Sequence, residues 1–154
     1  MMHLYDLAWN LLLQCNVHFL DLEARYNLVF RSWSRGPHGA IVRYWNDYIG
    51  IQVSLELREP DVRTSLVRLA GGHEGFPQYI DFPDAWLSLH HLIRTRAPMF
   101  PIQYSASDGT TSFTLDDLSN IAHSHAQALL INAPDLLQGD FTDWHALQQN
   151  SRGV

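Results

Sequence analysis

No lysine occurs anywhere in the 154 residues, and all ten basic side chains are arginine. A GC-rich genome, in which arginine codons dominate, accounts for that bias, so it carries no recognition chemistry of its own. Cysteine is almost absent. Cys15 stands alone, which excludes an internal disulfide and a cysteine-based zinc cluster and fits a reducing compartment. No apolar run approaches the roughly 20 residues that a membrane helix needs. The apolar stretch at residues 4–13 is broken by Asp6 and Asn10, and no basic region precedes it, which argues against a signal peptide. A cytoplasmic location is therefore expected. Charged residues make up only 17% against 46% hydrophobic, the balance of a folded globular chain rather than a disordered one.

Catalytic motifs are missing as well. No G-x-S-x-G elbow is present, and Cys15 has no basic neighbour to lower its pKa. The run Gly71-Gly72-His73-Glu74-Gly75 lacks the lysine and Ser/Thr of a phosphate-binding loop and the spacing of a dinucleotide fingerprint, so it reads as a connector. Asp116-Asp117 are paired carboxylates, but as the first turn of a helix they serve sufficiently as capping charges. The sequence thus points to a non-enzymatic protein with no cofactor and no metal.

What the chain does have is a strict alternation. Ile49, Ile51, Val53, Leu55 and Leu57 point one way, and Gly50, Gln52, Ser54 and Glu56 the other, the period of a strand with one buried face. Asn46-Asp47 separates it from residues 41–45, so 41–45 and 48–57 read as a hairpin. Residues 27–34 form an earlier strand that ends in turn residues 34–39. After Pro60, residues 62–69 resume as a fourth, with Val62, Thr64 and Leu66 alternating against Arg63, Ser65 and Val67. Four strands with short links predict an antiparallel meander over 27–69.

Helices flank it. Leu4, Leu7, Leu11, Cys15, Phe19 and Leu22 recur at spacings of three and four, predicting one helix over 3–22. Trp86, Leu89, Leu92 and Ile93 predict another over 85–96, with Asp81 or Asp84 as N-cap. Residues 102–111 read as loop or short edge strand, with Asp108-Gly109 as their turn. Thr114 caps the clearest helix, in which Leu118, Ile121, Ala122, His125 and Leu129 share a face. A short helical piece follows through Leu137, then another around Trp144 and Leu147, with a frayed tail over 148–154. The expectation is one α+β domain spanning 1–154: a four-stranded antiparallel meander, an N-terminal helix, and a helical part over 84–147 packed mainly on one face.

Nine histidines require a test for metal binding. His90 and His91 lie about 100° apart on a helix, and His123 and His125 about 200° apart, so neither pair chelates from one face. His125, on the apolar face, reads as a hydrogen-bonded, semi-buried residue. Residues 1–99 balance nine arginines against ten acids, whereas residues 100–154 hold Asp108, Asp116, Asp117, Asp135, Asp140 and Asp143 against Arg152 alone. That acidic third argues against a nucleic-acid partner, because phosphate neutralisation needs clustered positive charge. Trp33, Tyr44, Trp45 and Tyr48 gather on the central strands beside Arg31 and Arg43. They either anchor a protein partner or complete a core on both sides of the sheet.

The order of FLDLEARYNL (19–28), the GAIVRYWNDYIGIQVSLELRE hairpin (39–59), the DLSNIAHSHAQALL helix (117–130) and APDLLQGDFTDWHAL (133–147) resembles a group of small bacterial α+β proteins. That group includes immunity proteins of interbacterial, polymorphic toxin systems. The resemblance implies a stoichiometric protein binder without cofactor. It would turn Asp116, Asp117, Asp135, Asp140 and Asp143 toward a basic toxin domain. The alternative is a small enzyme or ligand-binding protein with a His/Asp pocket between sheet and helices. A third reading is a homodimer formed through an open sheet face.

Overall fold

A computed structural model describes residues 4–58, 60–69, 76–77, 82–107 and 113–152. The loop at 71–75, the 108–109 turn and the proposed cap Asp81 lie outside the described residues.

The alternation in the central hairpin sets the sheet. Strands β1 (Val29–Gly36), β2 (Gly39–Trp45), β3 (Ile49–Glu56) and β4 (Asp61–Arg68) follow in order, each antiparallel to the last. A fifth strand, β5 (Trp86–Ser88), extends the meander beyond β4, so the sheet has five strands rather than four. Residues 86–88 had read as the start of a helix. Their pairing with Ser65–Val67 puts Leu87 beside Leu66 in the core, a non-local gain that local spacing does not reveal. The helix that follows, α3 (Leu89–Arg96), is therefore capped by Ser88, whose Oγ accepts the His90 N–H at 3.1 Å, and not by Asp84.

One sheet face is the core face. Ala40, Val42, Tyr44, Ile49, Ile51, Val53, Leu55, Val62, Leu66 and Leu87 are all buried on it. Each such aliphatic side chain contributes roughly 1.5–3 kcal/mol of hydrophobic stabilisation. The helices cover this face. The first divides in two, α1 (Leu4–His18) and α2 (Leu20–Tyr26), at Phe19, which is itself buried against Tyr44 with ring centroids 5.2 Å apart. Asn27, with φ 56°, ends α2 in the left-handed conformation that asparagine tolerates.

Helix α4 (Leu115–Asn132) lies beside α1, buries Leu118, Ile121, Ala122, His125 and Leu129, and carries a complete capping box between Thr114 and Asp117. Two short helices close the chain, α5 (Pro134–Leu137) and α6 (Trp144–Arg152). Of the tail expected to fray over 148–154, residues 148–152 are helical, and buried Gln148 donates to the carbonyls of Asp84 (2.6 Å) and Trp86 (2.9 Å). Among the described residues no helix is long and apolar enough to cross a membrane.

Candidate functional site

Strand register arranges the second face of the sheet in rows. The first row runs Val29, Trp45, Gly50, Val67, Trp86 across all five strands. Phe76 lies on it, with its ring 5.1 Å from Trp45 and 6.2 Å from Trp86. Gly50 makes room: a Cβ there would stand 2.4 Å from Phe76 Cζ. Arg31, at the bulge of β1, lies 5.4 Å over the Trp45 ring, and Arg43 4.8 Å over Phe76. An aromatic and guanidinium cluster thus closes one end of this face.

Beyond it the rows are polar. Ser32, Arg43, Gln52, Ser65 and Ser88 form the second, and Ser34, Ile41, Ser54 and Arg63 the third. Arg43 Nε donates to Gln52 Oε1 at 2.9 Å, and Gln52 Nε2 to Ser54 Oγ at 3.3 Å. These side chains are partly exposed, Arg63 and Glu56 more fully. Among the described residues only Phe76 and Pro77 come from a segment lying over this face.

At one corner the face deepens into a cleft of about 530 Å³. It forms because β5 pairs only with Ser65–Val67, leaving the start of β4 to the 102–107 segment, where the Tyr104 carbonyl accepts the Val62 N–H at 2.7 Å. From β4 come Asp61, Arg63 and Ser65; from the first turn of α3 come His90 and His91. Tyr104 closes the far wall, its hydroxyl 3.3 Å from His90 Nδ1 and its ring 5.5 Å from the His90 ring. Arg63 Nε donates to Asp61 Oδ2 at 2.7 Å. Burial, then the neighbouring His90 and Arg94 charges, lower the His91 pKa, which favours its neutral form. A second hollow of about 410 Å³, reaching Ser54, Glu56 and Arg58, shares Asp61 and Arg63 with it.

Beneath the cleft is buried His125, whose Nδ1 lies 2.7 Å from Thr64 Oγ1 and whose Nε2 lies 2.9 Å from the Gln103 carbonyl. Burial pushes its pKa down to about 4. It is a structural histidine. Burial likewise pushes the Cys15 thiol up to about 12, so that side chain behaves as a small apolar group. Among the described residues no three His, Cys, Asp or Glu side chains are grouped to hold a metal ion.

The residues expected to meet a partner are scattered. Tyr44 is fully buried, its hydroxyl donating to Asn16 Oδ1 at 2.5 Å, so it is a core side chain and not a surface anchor. Trp33 shares its face and packs edge-on to Trp9 at 5.9 Å. Trp45, alone of the four aromatics, lies on the second face of the sheet, with Phe76 and Arg31 against its ring. Tyr48, 52% exposed at the β2–β3 turn, lies against Gly139.

The five aspartates do not form one patch. Asp116 and Asp117 start α4, whereas Asp135, Asp140 and Asp143 lie past its other end, about 27 Å away at 1.5 Å per residue. Asp117 is buried, accepting from the Thr114 and Ser107 N–H groups and from Gln103 Nε2. Burial raises its pKa, but those hydrogen bonds outweigh that effect and bring it to about 2. Asp135 is held by both Nη atoms of Arg96 at 2.7 Å, and Asp143 lies 3.3 Å from the same guanidinium. Asp116, Asp140 and Asp143 remain exposed.

Comparison with protein-family models, with curated proteins and with solved structures finds no match. The site therefore has to be read from its own chemistry. Sequence reasoning placed Gln52, Ser54 and Glu56 on the face where function would show, and missed Arg63, Phe76 and Tyr104. It weighed His90 and His91 only as a metal pair.

Proposed function

We propose that this chain is a non-enzymatic protein-binding module, most concretely an immunity-like protein that neutralises a toxin by covering it, and that it docks through the polar rows of the second sheet face. The observation that carries this reading is the pair of rows Arg43–Gln52–Ser65 and Ile41–Ser54–Arg63. They form a partly exposed surface on which one bond across strands, from Arg43 to Gln52, and one along β3, from Gln52 to Ser54, hold polar side chains in place. Such preorganisation lowers the ordering cost of association. Arg31, Arg43 and Arg63 set the charge of this face against Glu56 and Asp61, while Asp116, Asp140 and Asp143 lie on the helical side. A partner presenting carboxylates fits the face better than a basic one.

Affinity capture from a native lysate tests it, using the wild-type chain beside Arg43→Glu/Arg63→Glu and Asp140→Lys/Asp143→Lys variants. A stoichiometric partner kept by the wild type and the aspartate variant but lost by the arginine variant is expected. Loss with the aspartate variant alone, or a monomer that captures nothing, overturns the reading.

A second reading, a small-molecule binding protein, is favoured by one observation. The corner cleft has the volume of a ligand site and brings side chains from β4, α3 and the 102–107 segment to a common space.

A further inference from the structure

We propose that the corner cleft binds an oxyanion, a phosphate or carboxylate group carried on a small molecule, between Arg63, His90, His91 and the Ser88 end of α3. The inference rests on the ligand-binding reading of the cleft and adds the chemistry of the ligand. Most lining side chains can donate a hydrogen bond, a guanidinium, two imidazoles, the Tyr104 phenol and the Ser65 and Ser88 hydroxyls, although the contact between His90 Nδ1 and the Tyr104 hydroxyl uses one of these hydrogens. Ser88 Oγ already accepts from the His90 N–H, so its own hydrogen is left to donate. Asp61 is the one carboxylate in the lining; Arg63 Nε bonds its Oδ2 at 2.7 Å, which offsets part of its repulsion of an incoming anion, while its Oδ1 is buried without a partner. A donor-rich space selects an acceptor-rich ligand.

Helix α3 adds to this selection. Its eight residues start at the cleft, with the N-cap Ser88 in the lining, and a helix N-terminus favours negative charge. The cleft, at about 530 Å³, has room for an oxyanion carried on a larger molecule. The adjoining rings of His91, His90 and Tyr104, with centroids 5.9 and 5.5 Å apart, give its remainder flat walls to lie against.

Protonation of either imidazole adds positive charge where the oxyanion sits. Binding therefore tightens as pH falls. The other charged or titratable groups there are Asp61, Arg63, Tyr104 and, behind His91, Arg94.

The test follows the imidazole resonances of His90 and His91 by NMR in the full-length chain during parallel titrations with inorganic phosphate, acetate and glucose at pH 6 and pH 7.5. Phosphate or acetate is expected to shift both resonances and raise both imidazole pKa values, more tightly at pH 6. Whichever of the two binds tighter identifies the group. Arg63→Gln, at an exposed position, is expected to weaken binding roughly tenfold or more, the loss of one hydrogen bond to a charged group. Tyr104→Phe is expected to weaken it by less. Unchanged affinity in Arg63→Gln overturns the assignment. Glucose binding with both anions silent overturns the oxyanion but leaves a ligand cleft. Silence from all three overturns both.

Discussion

Thr64 Oγ1 lies 2.7 Å from Nδ1 of His125, and that contact fastens β4 to α4 directly beneath the cleft. The Gln103 carbonyl, 2.9 Å from Nε2, can only accept, so Nε2 carries the proton and Nδ1 receives the Thr64 hydroxyl hydrogen. The neutral imidazole is therefore satisfied on both sides, with the Tyr104 ring 5.3 Å away. One side chain joins the sheet, the long helix and the segment that forms the far wall of the cleft.

This arrangement predicts an acid-sensitive fold. With its folded pKa lowered to about 4 from 6.5, His125 opposes protonation in the native state. Its favourable contribution is complete above pH 6.5 and is lost progressively as pH falls from there toward 4. At about 1.4 kcal/mol per unit, the loss is on the order of 3 kcal/mol. Urea midpoints measured from pH 7 to pH 4 check it, and His125→Gln is expected to flatten the slope in that window. An equally steep slope in the variant would place the acid sensitivity elsewhere.

Gly50 predicts a different failure. Because a Cβ there would meet Phe76 Cζ at 2.4 Å, Gly50→Ala must push Phe76 off the Trp45–Trp86 row or shift β3. Overpacking of this kind costs roughly 1–3 kcal/mol. Combined with Phe76→Ala, the same substitution loses most of its cost, since the obstructing ring is gone. The pair is therefore strongly non-additive in a double-mutant cycle. Tryptophan fluorescence reports the displacement directly, as Trp45 and Trp86 both border the ring.

Which of these features could be read from sequence depends on how local their cause is. The β3 strand was legible because nine consecutive residues alternate, and the Thr114–Asp117 box because both partners lie within one helical turn. Tyr44 could have been assigned to the core by extending that alternation through Val42, its neighbour two residues back on the same face. The three-residue β5 was hidden, because Trp86, Leu89, Leu92 and Ile93 also satisfy helical spacing and only the register with β4 decides between the two. The cleft left no local trace. Asp61, Ser88, His90 and Tyr104 converge through strand pairing, and composition cannot separate aspartates at opposite ends of one helix.

Arg96 shows how such an aspartate is used. Its two Nη atoms take both oxygens of Asp135, and Nη1 also reaches the Asn132 carbonyl at 2.8 Å, tying α3 to the α4–α5 junction. Neither side chain is more than 29% exposed. Lysine cannot reproduce the fork, so Arg96→Lys is expected to cost on the order of 1–2 kcal/mol despite its conserved charge. Chemical denaturation of Arg96→Lys, Asp135→Asn and the double variant measures it. A double variant no worse than either single one identifies the pair as the unit that is lost.

Asn46 provides the sharpest isosteric test. Read from sequence as a turn residue, it is buried, and its Nδ2 donates to the carbonyls of Tyr26 (2.8 Å) and Leu137 (3.1 Å). Its Oδ1 accepts from the Tyr48 and Ile49 N–H groups at 2.8 and 2.9 Å. All four bonds are made, and they connect the β2–β3 turn to the ends of α2 and α5. Asn46→Ala removes the bonds and strands two carbonyls and two amides, at about 1–3 kcal/mol per unsatisfied group. Asn46→Asp keeps the shape but aims a carboxylate oxygen at two carbonyls. The Tyr48 and Ile49 N–H groups favour the new carboxylate, but burial and the two carbonyls, to which only a protonated carboxyl can donate, raise its folded-state pKa above the unfolded value near 3.9. The aspartate variant is therefore closest to wild type below pH 4 and loses stability as pH rises through its folded pKa, opposite in sign to the His125 effect. Thermal melts of both variants from pH 3.5 to pH 8 separate the contributions. An aspartate variant whose deficit stays constant across that range would show that the carboxylate oxygen does not face the two carbonyls.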